Sequence, residues 1–206
     1  MTEINKDLLI DKFNLMKTSM QKFDCTLNMD NFEISILTSS SSFQKIVLFL
    51  KDNPTTDFGI LVDMCAVDFP SNKQRFQLVY NFLSISQNLR TRLSLNIQDG
   101  ESIESISSIY PCANWYEREI FDLFGISFSR HPDLRRILTD YDFDGYPLRK
   151  DFPMTGFTQV RYDEEQKKII TEPVKLDQEY RNFDNLSPWE GMKSSLSENK
   201  DDDEKN

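Results

Sequence analysis

The sequence predicts an α+β fold: a mostly antiparallel sheet with helices on one face, followed by an extended C-terminal docking segment. Apolar residues recur at helical spacing near the N-terminus and then alternate with polar residues in several runs up to residue 97. Regular periodicity is lost in the second half of the chain. The predicted regions are an α/β scaffold domain over residues 1–110, a signature helix and docking segment over residues 111–191, and an acidic, disordered tail over residues 192–206.

A helix and a hairpin are predicted first. The apolar residues between Ile4 and Met20 form an approximate helical stripe. The turn residues Asp30-Asn31 lie between two alternating runs, Cys25–Met29 and Phe32–Ile36, which is typical of a hairpin. A serine of the following run can cap a short apolar helix over Phe43–Leu50.

Three strand-like runs then follow, and the last is the clearest, because apolar and polar residues alternate along its whole length. The short spacer Ser86-Gln87 favours a tight antiparallel hairpin between the last two runs. A helix is expected next, over Ser102–Ile109. The three runs are Phe58–Val67, Arg75–Ile85 and Asn88–Ile97.

Residues 110–162 hold about half of the aromatic residues and more than half of the arginines. This composition is typical of a contact surface or an ordered ion-pair network. A capping box at Asn114–Glu117 predicts a helix that ends at Gly125, and Arg118 can pair with Asp122 one turn later.

Beyond this helix the sequence predicts a turn-rich strap held by charge pairs and aromatic residues. A last hairpin is expected between Gln159–Asp163 and Lys168–Val174. The aromatic residues of Leu176–Trp189 are spaced too irregularly for a helical stripe, so this segment is expected to lie on another surface.

Composition excludes several classes of function. A net charge of −10 and a pI near 4.7 are unfavourable for nucleic-acid binding. The cysteines Cys25, Cys65 and Cys112 are too far apart for a zinc or iron–sulfur motif, and no phosphate-binding glycine loop occurs. The longest apolar run, Ile46–Leu50, is far shorter than a membrane-spanning helix.

Acid–base catalysis is the tempting alternative, because three carboxylates, Glu117, Glu119 and Asp122, lie near His131 in the sequence. Capping explains the first carboxylate and arginine pairing explains the other two, while His131-Pro132 is typical of a chain reversal. The sequence therefore favours a structural role for these residues.

Two strings, Glu117 to Ile126 and His131 to Asp140, closely resemble the signature of one family, the 30-kDa core subunits of proton-pumping NADH:ubiquinone oxidoreductase, respiratory complex I. The resemblance continues through Gly145–Pro153, Arg161–Asp163 and Glu172–Val174 and ends at Trp189. The first hundred residues match only in length and in their α/β pattern.

The resemblance implies a subunit of H⁺-translocating NADH:ubiquinone reductase that has no catalytic residue and binds no flavin, iron–sulfur cluster, metal or quinone itself. FMN and the clusters would lie in partner subunits. The implied partners are the 49-kDa quinone-site subunit and cluster-bearing subunits. The signature residues expected at contacts between subunits are Glu117, Arg118, Glu119, Asp122, His131, Arg135, Arg136, Asp140, Arg149, Asp151 and Trp189.

Adjacent residues of an extended segment point to opposite sides, so Arg135 and Arg136 are expected to serve different acidic partners, one inside the chain and one across an interface. The family's hydrophilic arm faces the mitochondrial matrix or the bacterial cytoplasm. No arginine-rich transit peptide is visible, and the many Asn, Ile, Phe, Lys and Ser residues suggest an AT-rich genome. The expectation is a mitochondrially encoded protein on the matrix side of the inner membrane, with a bacterial inner membrane as the alternative.

Overall fold

The computed structural model of the protein describes residues 3–176 and confirms the predicted α+β class. The elements are α1 (Glu3–Met20), β1 (Cys25–Asp30), β2 (Glu33–Thr38), α2 (Ser40–Asp52), β3 (Ile60–Asp68), β4 (Phe76–Ser84), β5 (Leu89–Ile97), β6 (Ser102–Glu104), α3 (Ala113–Phe124), β7 (Ser127–Ser129), β8 (Thr158–Asp163) and β9 (Lys168–Pro173). Five strands form one sheet in the order β1-β2-β5-β4-β3. Only its β2–β5 pair is parallel, so the sheet is mostly antiparallel as predicted.

One face of the sheet forms the core, because the strands alternate as the sequence predicts. On β5, Leu89, Leu93 and Ile97 are buried, whereas Arg90 and Arg92 on the opposite face are exposed. The predicted turn before β2 is also present, with Asn31 and its successor at positive φ, the conformation of a tight hairpin.

The helices pack on this same face. Met20 of α1 belongs to the core cluster. The ring of Phe43 on α2 lies 4.9 Å from that of Tyr80, and the ring of Phe124 on α3 lies 6.4 Å from that of Phe76. Phe76 and Tyr80 both belong to β4 and are four residues apart, so their side chains point to the same face of the sheet. Helices α2 and α3 therefore cover the same side.

Two local predictions are wrong. Residues Ser102–Ile109 do not form a helix; Ser102–Glu104 pair in parallel with Ser127–Ser129, and a turn follows. Helix α3 begins after Cys112, without a side-chain cap, so the capping box at Asn114 is not formed. Its predicted end is confirmed, since Gly125 adopts the left-handed conformation of a C-cap.

Two compact units are distinguished, and the first of them ends at Gly156. The predicted domain boundary at residue 110 stays a prediction. The segment after α3 has little regular structure, as predicted, yet it belongs to the first compact unit. Its backbone is tied to the end of α3: the Leu148 N–H donates to the carbonyl of Leu123 at 3.1 Å, and Arg149 Nε donates to the carbonyl of Phe124 at 2.6 Å.

The second unit begins at Phe157 and contains the predicted hairpin of β8 and β9. Its turn has Lys167 at positive φ, and the Asp163 carboxylate accepts hydrogen bonds from two backbone N–H groups of the turn. Most of the predicted aromatic segment after Leu176, and the predicted tail over residues 192–206, lie outside the described residues.

We expect Gly125→Ala to destabilise the first unit by about 2–5 kcal/mol. The backbone φ of +75° costs an alanine about 1–2 kcal/mol. A Cβ would also lie 2.5 Å from Cε2 of Tyr146 and 2.9 Å from Nη2 of Arg149, and such overlap adds about 1–3 kcal/mol.

The matched control is Gly100→Ala, which has a similar φ of +82° but no atom within 4 Å of the new Cβ. It should show the backbone cost alone. Urea unfolding of the purified chain measures both values. Equal losses for the two variants would mean that the contact with Tyr146 is not tight.

Candidate functional site

Helix α3 carries a fully buried carboxylate, that of Asp122. Oδ2 accepts hydrogen bonds from the backbone N–H groups of Ile137, Leu138 and Thr139 at 3.1, 2.6 and 2.8 Å. Oδ1 accepts from Arg136 Nη1 at 2.8 Å and from the Thr139 hydroxyl. Burial acts to raise the pKa of Asp122, but these donors outweigh burial and hold its pKa below the usual range.

The Arg136 guanidinium is the centre of the loop that follows. Besides Asp122, it donates to the carbonyl oxygens of Phe143 at 3.0 Å and Gly145 at 3.1 Å. The rings of Phe143 and Tyr146 lie 5.9 and 5.4 Å from its central carbon. One cation therefore satisfies backbone groups that have no helix or sheet to pair with. We call residues 136–146 the Arg136 loop.

Arg118 does not pair with Asp122 as predicted. Its Nε and Nη2 donate instead to the backbone carbonyls of Arg135 and Arg136, both at 3.2 Å. The Arg135 side chain is exposed and pairs with exposed Asp133 at 2.9 Å. Of the two adjacent arginines, Arg136 therefore serves an acid inside the chain, which is one half of the prediction.

A second buried carboxylate, Glu117, lies earlier on α3. Its Oε2 accepts from the Ser105 hydroxyl at 2.6 Å and its Oε1 from the Ile106 N–H at 2.8 Å. Burial raises the pKa of Glu117 to about 7, against the opposing effect of these two hydrogen bonds. The predicted capping role is thus replaced by a contact that anchors the turn after β6.

His131 closes this buried pocket. Its Nε2 lies 3.1 Å from the carbonyl oxygen of Asn114 and 3.8 Å from Oε2 of Glu117, and its Nδ1 accepts the Asp133 N–H. A neutral ring with the proton on Nε2 satisfies both backbone contacts. Because the side chains of Glu117 and His131 are fully buried, no substrate reaches them, and the arrangement does not support acid–base catalysis.

A third network joins the strands to the segment after the Arg136 loop. Arg75 lies 2.7 Å from buried Asp68 and 2.9 Å from Asp151, while Arg149 lies 3.0 Å from Asp99. The hydrogen bond from Arg75 lowers the pKa of Asp68 despite its burial. The same guanidinium, by a second hydrogen bond, lowers the pKa of Asp151.

Sequence reasoning singled out Arg149 and Asp151 but missed Asp68, Arg75 and Asp99. The pairing of Asp68 with Arg75 could have been predicted, because the two residues are seven positions apart at the closed end of a hairpin. Asp99 and its arginine are fifty residues apart, and no local pattern signals that contact.

Two further predicted site residues, Glu119 and Asp140, are exposed. Neither acid makes an ion pair within residues 3–176. Trp189 lies outside the described residues. No helix of the described part combines the length and apolar character needed to cross a membrane. Over the same residues, no His, Cys, Asp and Glu side chains gather into a group that could hold a metal ion.

The chain is a protein of the α+β class in which charged residues of the signature, Asp122 and Arg136, bind the chain's own backbone. The sequence model of the family described as "Respiratory-chain NADH dehydrogenase, 30 Kd subunit" matches residues 36–158, more than half of the chain. The chain belongs to this family.

Several relatives are similar over most of their length. The C subunit of NADH-quinone oxidoreductase from Parvibaculum lavamentivorans is 53% identical over 164 residues, which cover 80% of this chain and 82% of that one. The protein of the same name from Dinoroseobacter shibae is 50% identical, with coverages of 90% and 87%. Its counterpart from Cereibacter sphaeroides is 58% identical, with coverages of 71% and 73%.

A solved structure confirms the fold. The trypsin-resistant fragment of Nqo5, residues 1–134, superposes with a TM-score of 0.52 at 20% sequence identity. The match covers 61% of this chain and 99% of that fragment. At this identity the likeness concerns the fold alone.

We expect Arg136→Ala to lower the free energy of unfolding by about 3–5 kcal/mol, because it leaves the buried Asp122 carboxylate without its cation. Arg135→Ala is the matched control: its pair with Asp133 is exposed, so its loss costs less than about 1 kcal/mol. Urea unfolding followed by circular dichroism measures both. A larger loss for Arg135→Ala would contradict the assignment of Arg136 as the internal arginine.

We also expect Glu117 to make stability fall as pH rises. Its folded pKa of about 7 is above the 4.5 of a free carboxyl, so the folded chain holds the proton more tightly. This contribution is complete below about pH 4.5 and is lost as pH rises through 7, a change of about 3 kcal/mol at most. His131 and Tyr80 are the ionisable side chains that interact with this carboxyl.

Urea unfolding at pH 5 and pH 8 tests this expectation. Glu117→Gln should remove most of the difference, since its amide accepts from Ile106 and donates to Ser105 without a charge. Glu119→Gln, at an exposed position on the same helix, should retain it. A pH profile that is identical in the wild-type and Glu117→Gln chains would refute the assignment.

Proposed function

We propose that this chain is a core subunit of the hydrophilic arm of proton-pumping NADH:ubiquinone oxidoreductase, and that it acts as a scaffold without a cofactor of its own. The main support for the proposal is that charged residues of the family signature bind groups of this chain itself. Asp122 and Arg136 bind backbone groups of the chain itself, and Glu117 is sealed in the interior. The polar atoms of these groups are engaged within the chain, and they hold its shape.

Such a rigid shape suits a supporting role in electron transfer. Electrons pass from NADH through FMN and iron–sulfur clusters to ubiquinone, and the reaction drives proton pumping in the membrane arm. The redox groups would belong to partner subunits. A supporting subunit keeps such sites within a fraction of an ångström of the productive geometry when its own side chains are locked by packing and hydrogen bonds.

The proposed partners are the 49-kDa quinone-site subunit and the cluster-bearing subunits. Among the predicted contact residues, Glu119, Arg135, Asp140 and Asp151 have exposed side chains and are available to them. Trp189 is proposed as a further contact. Glu117, Arg118, Asp122, His131, Arg136 and Arg149 would act indirectly, by fixing the surface on which partners bind.

For the location we propose the matrix side of the mitochondrial inner membrane, with attachment through the complex. The abundance of Asn, Ile, Phe, Lys and Ser supports an organellar gene. The alternative is the cytoplasmic face of a bacterial inner membrane, which the bacterial source of the relatives favours. Fractionation of the source cells with an antibody to this chain separates the two.

Native affinity purification from the source organism tests the function. A tagged chain should bring with it FMN, iron and NADH:ubiquinone reductase activity. The same chain produced alone should contain neither flavin nor iron and should not oxidise NADH. Flavin or iron bound to the isolated chain would refute the cofactor-free role, and capture without either would refute membership of the complex.

A further inference from the structure

Three arginines around α3 and the Arg136 loop face inward, although the composition of this region is typical of a contact surface. Arg118 and Arg136 donate to backbone carbonyls, and Arg149 pairs with Asp99. The exposed Arg135 is already paired with Asp133. The donor groups of these arginines are therefore largely engaged inside the chain.

Four acids of α3 and the Arg136 loop have no ion pair in the described part of the chain. All are exposed, and three of them belong to the Arg136 loop: Glu119, Asp140, Asp142 and Asp144. The outer surface of the loop is thus acidic, because its single arginine, Arg136, is bonded to Asp122 and to backbone carbonyls.

Large apolar side chains lie among these acids. Leu138 and Tyr141 of the loop are 64% and 76% exposed, and Trp115 of α3 is 61% exposed. Trp115 is linked to the loop through Arg118, whose central carbon lies 5.2 Å from the indole ring while its Nη2 binds the carbonyl of Arg136. Exposed Trp and Tyr side chains are the residues that most often dominate protein–protein contacts.

The loop fixes the backbone around Leu138 and Tyr141 before any partner arrives. The Leu138 N–H is bonded to Asp122 at 2.6 Å, and Tyr141 lies between Thr139 and Phe143, both of which are bonded to Arg136. Because the backbone is already ordered, binding at this surface costs little further backbone entropy.

We propose that the outer surface of the Arg136 loop, together with Trp115 and Glu119 of α3, is a docking surface for a segment of a partner subunit that presents lysine or arginine beside apolar side chains. The inference rests on the proposed function and adds the chemistry of the partner. Basic side chains of the partner would pair with the four acids, and its apolar side chains would cover Trp115, Leu138 and Tyr141. Anionic lipid headgroups would be repelled, so the occupant is a polypeptide.

Competition for a place in the complex tests the charge requirement. Source cells express the wild-type chain together with a tagged chain carrying Asp140→Asn, Asp142→Asn and Asp144→Asn. Mass spectrometry then compares the ratio of the two chains in the purified complex with the ratio in the whole extract. Loss of three exposed pairs should reduce incorporation of the variant about tenfold.

The control carries Asp7→Asn, Asp11→Asn and Asp30→Asn, an equal change of charge at exposed positions of α1 and β1. It should be incorporated like the wild-type chain. All three purified chains should unfold at the same temperature, because none of the six acids has an ion pair in the described residues. Equal incorporation of the loop variant would overturn the inference, whereas absence of the wild-type chain from any flavin-containing complex would overturn the proposed function.

A photo-cross-link identifies the occupant. With Tyr141→p-benzoylphenylalanine, illumination of the native complex should join this chain to a partner peptide that contains Lys or Arg next to apolar residues. A cross-link to lipid, to a second copy of this chain, or to a peptide without basic residues would refute the proposed chemistry.

Discussion

The Asp122 carboxylate determines the course of the chain after helix α3. It is buried, so the free energy of removing it from water has to be offset by partners, and five hydrogen bonds from the following segment provide them. Three of those donors are consecutive backbone N–H groups, a pattern that fixes backbone direction more firmly than a single ion pair does. The Arg136 loop, the exposure of Leu138 and the inward direction of the neighbouring arginines all depend on this carboxylate.

Helix α3 shows how neighbouring carboxylates acquire opposite character from their surroundings. Asp122 receives a cation and several N–H donors, and its pKa falls. Glu117, within the same helix, receives two neutral donors and no paired arginine, so burial prevails and its pKa rises to about 7. The number of donors, the presence of an arginine and the deeper burial of Glu117 together separate the two groups.

Sequence reasoning was most successful where one local rule decides the outcome. The alternation along β5 and the glycine that ends α3 have no competing solution, and both are confirmed. Sequence reasoning failed where several hydrogen-bond partners compete for one side chain. Arg118 and Asp122 have the spacing of a helical ion pair, but backbone groups distant in sequence offered better hydrogen bonds to both. The contact of Arg149 with Asp99 depends wholly on tertiary structure, so no local sequence pattern predicts it.

The single parallel pairing in the sheet has a consequence for how the chain folds. Strands β3, β4 and β5 form a meander of local hairpins, and these can close early because little loop entropy is lost. Strand β2 joins β5 across 57 residues, as in the bond from Thr91 Oγ1 to the carbonyl of Ile34. Until that long closure is made, the inner edge of β5 presents unpaired backbone groups to other chains. We therefore expect the docking of the first hairpin to be the slowest pairing within this sheet, and during synthesis it cannot begin until β5 has left the ribosome.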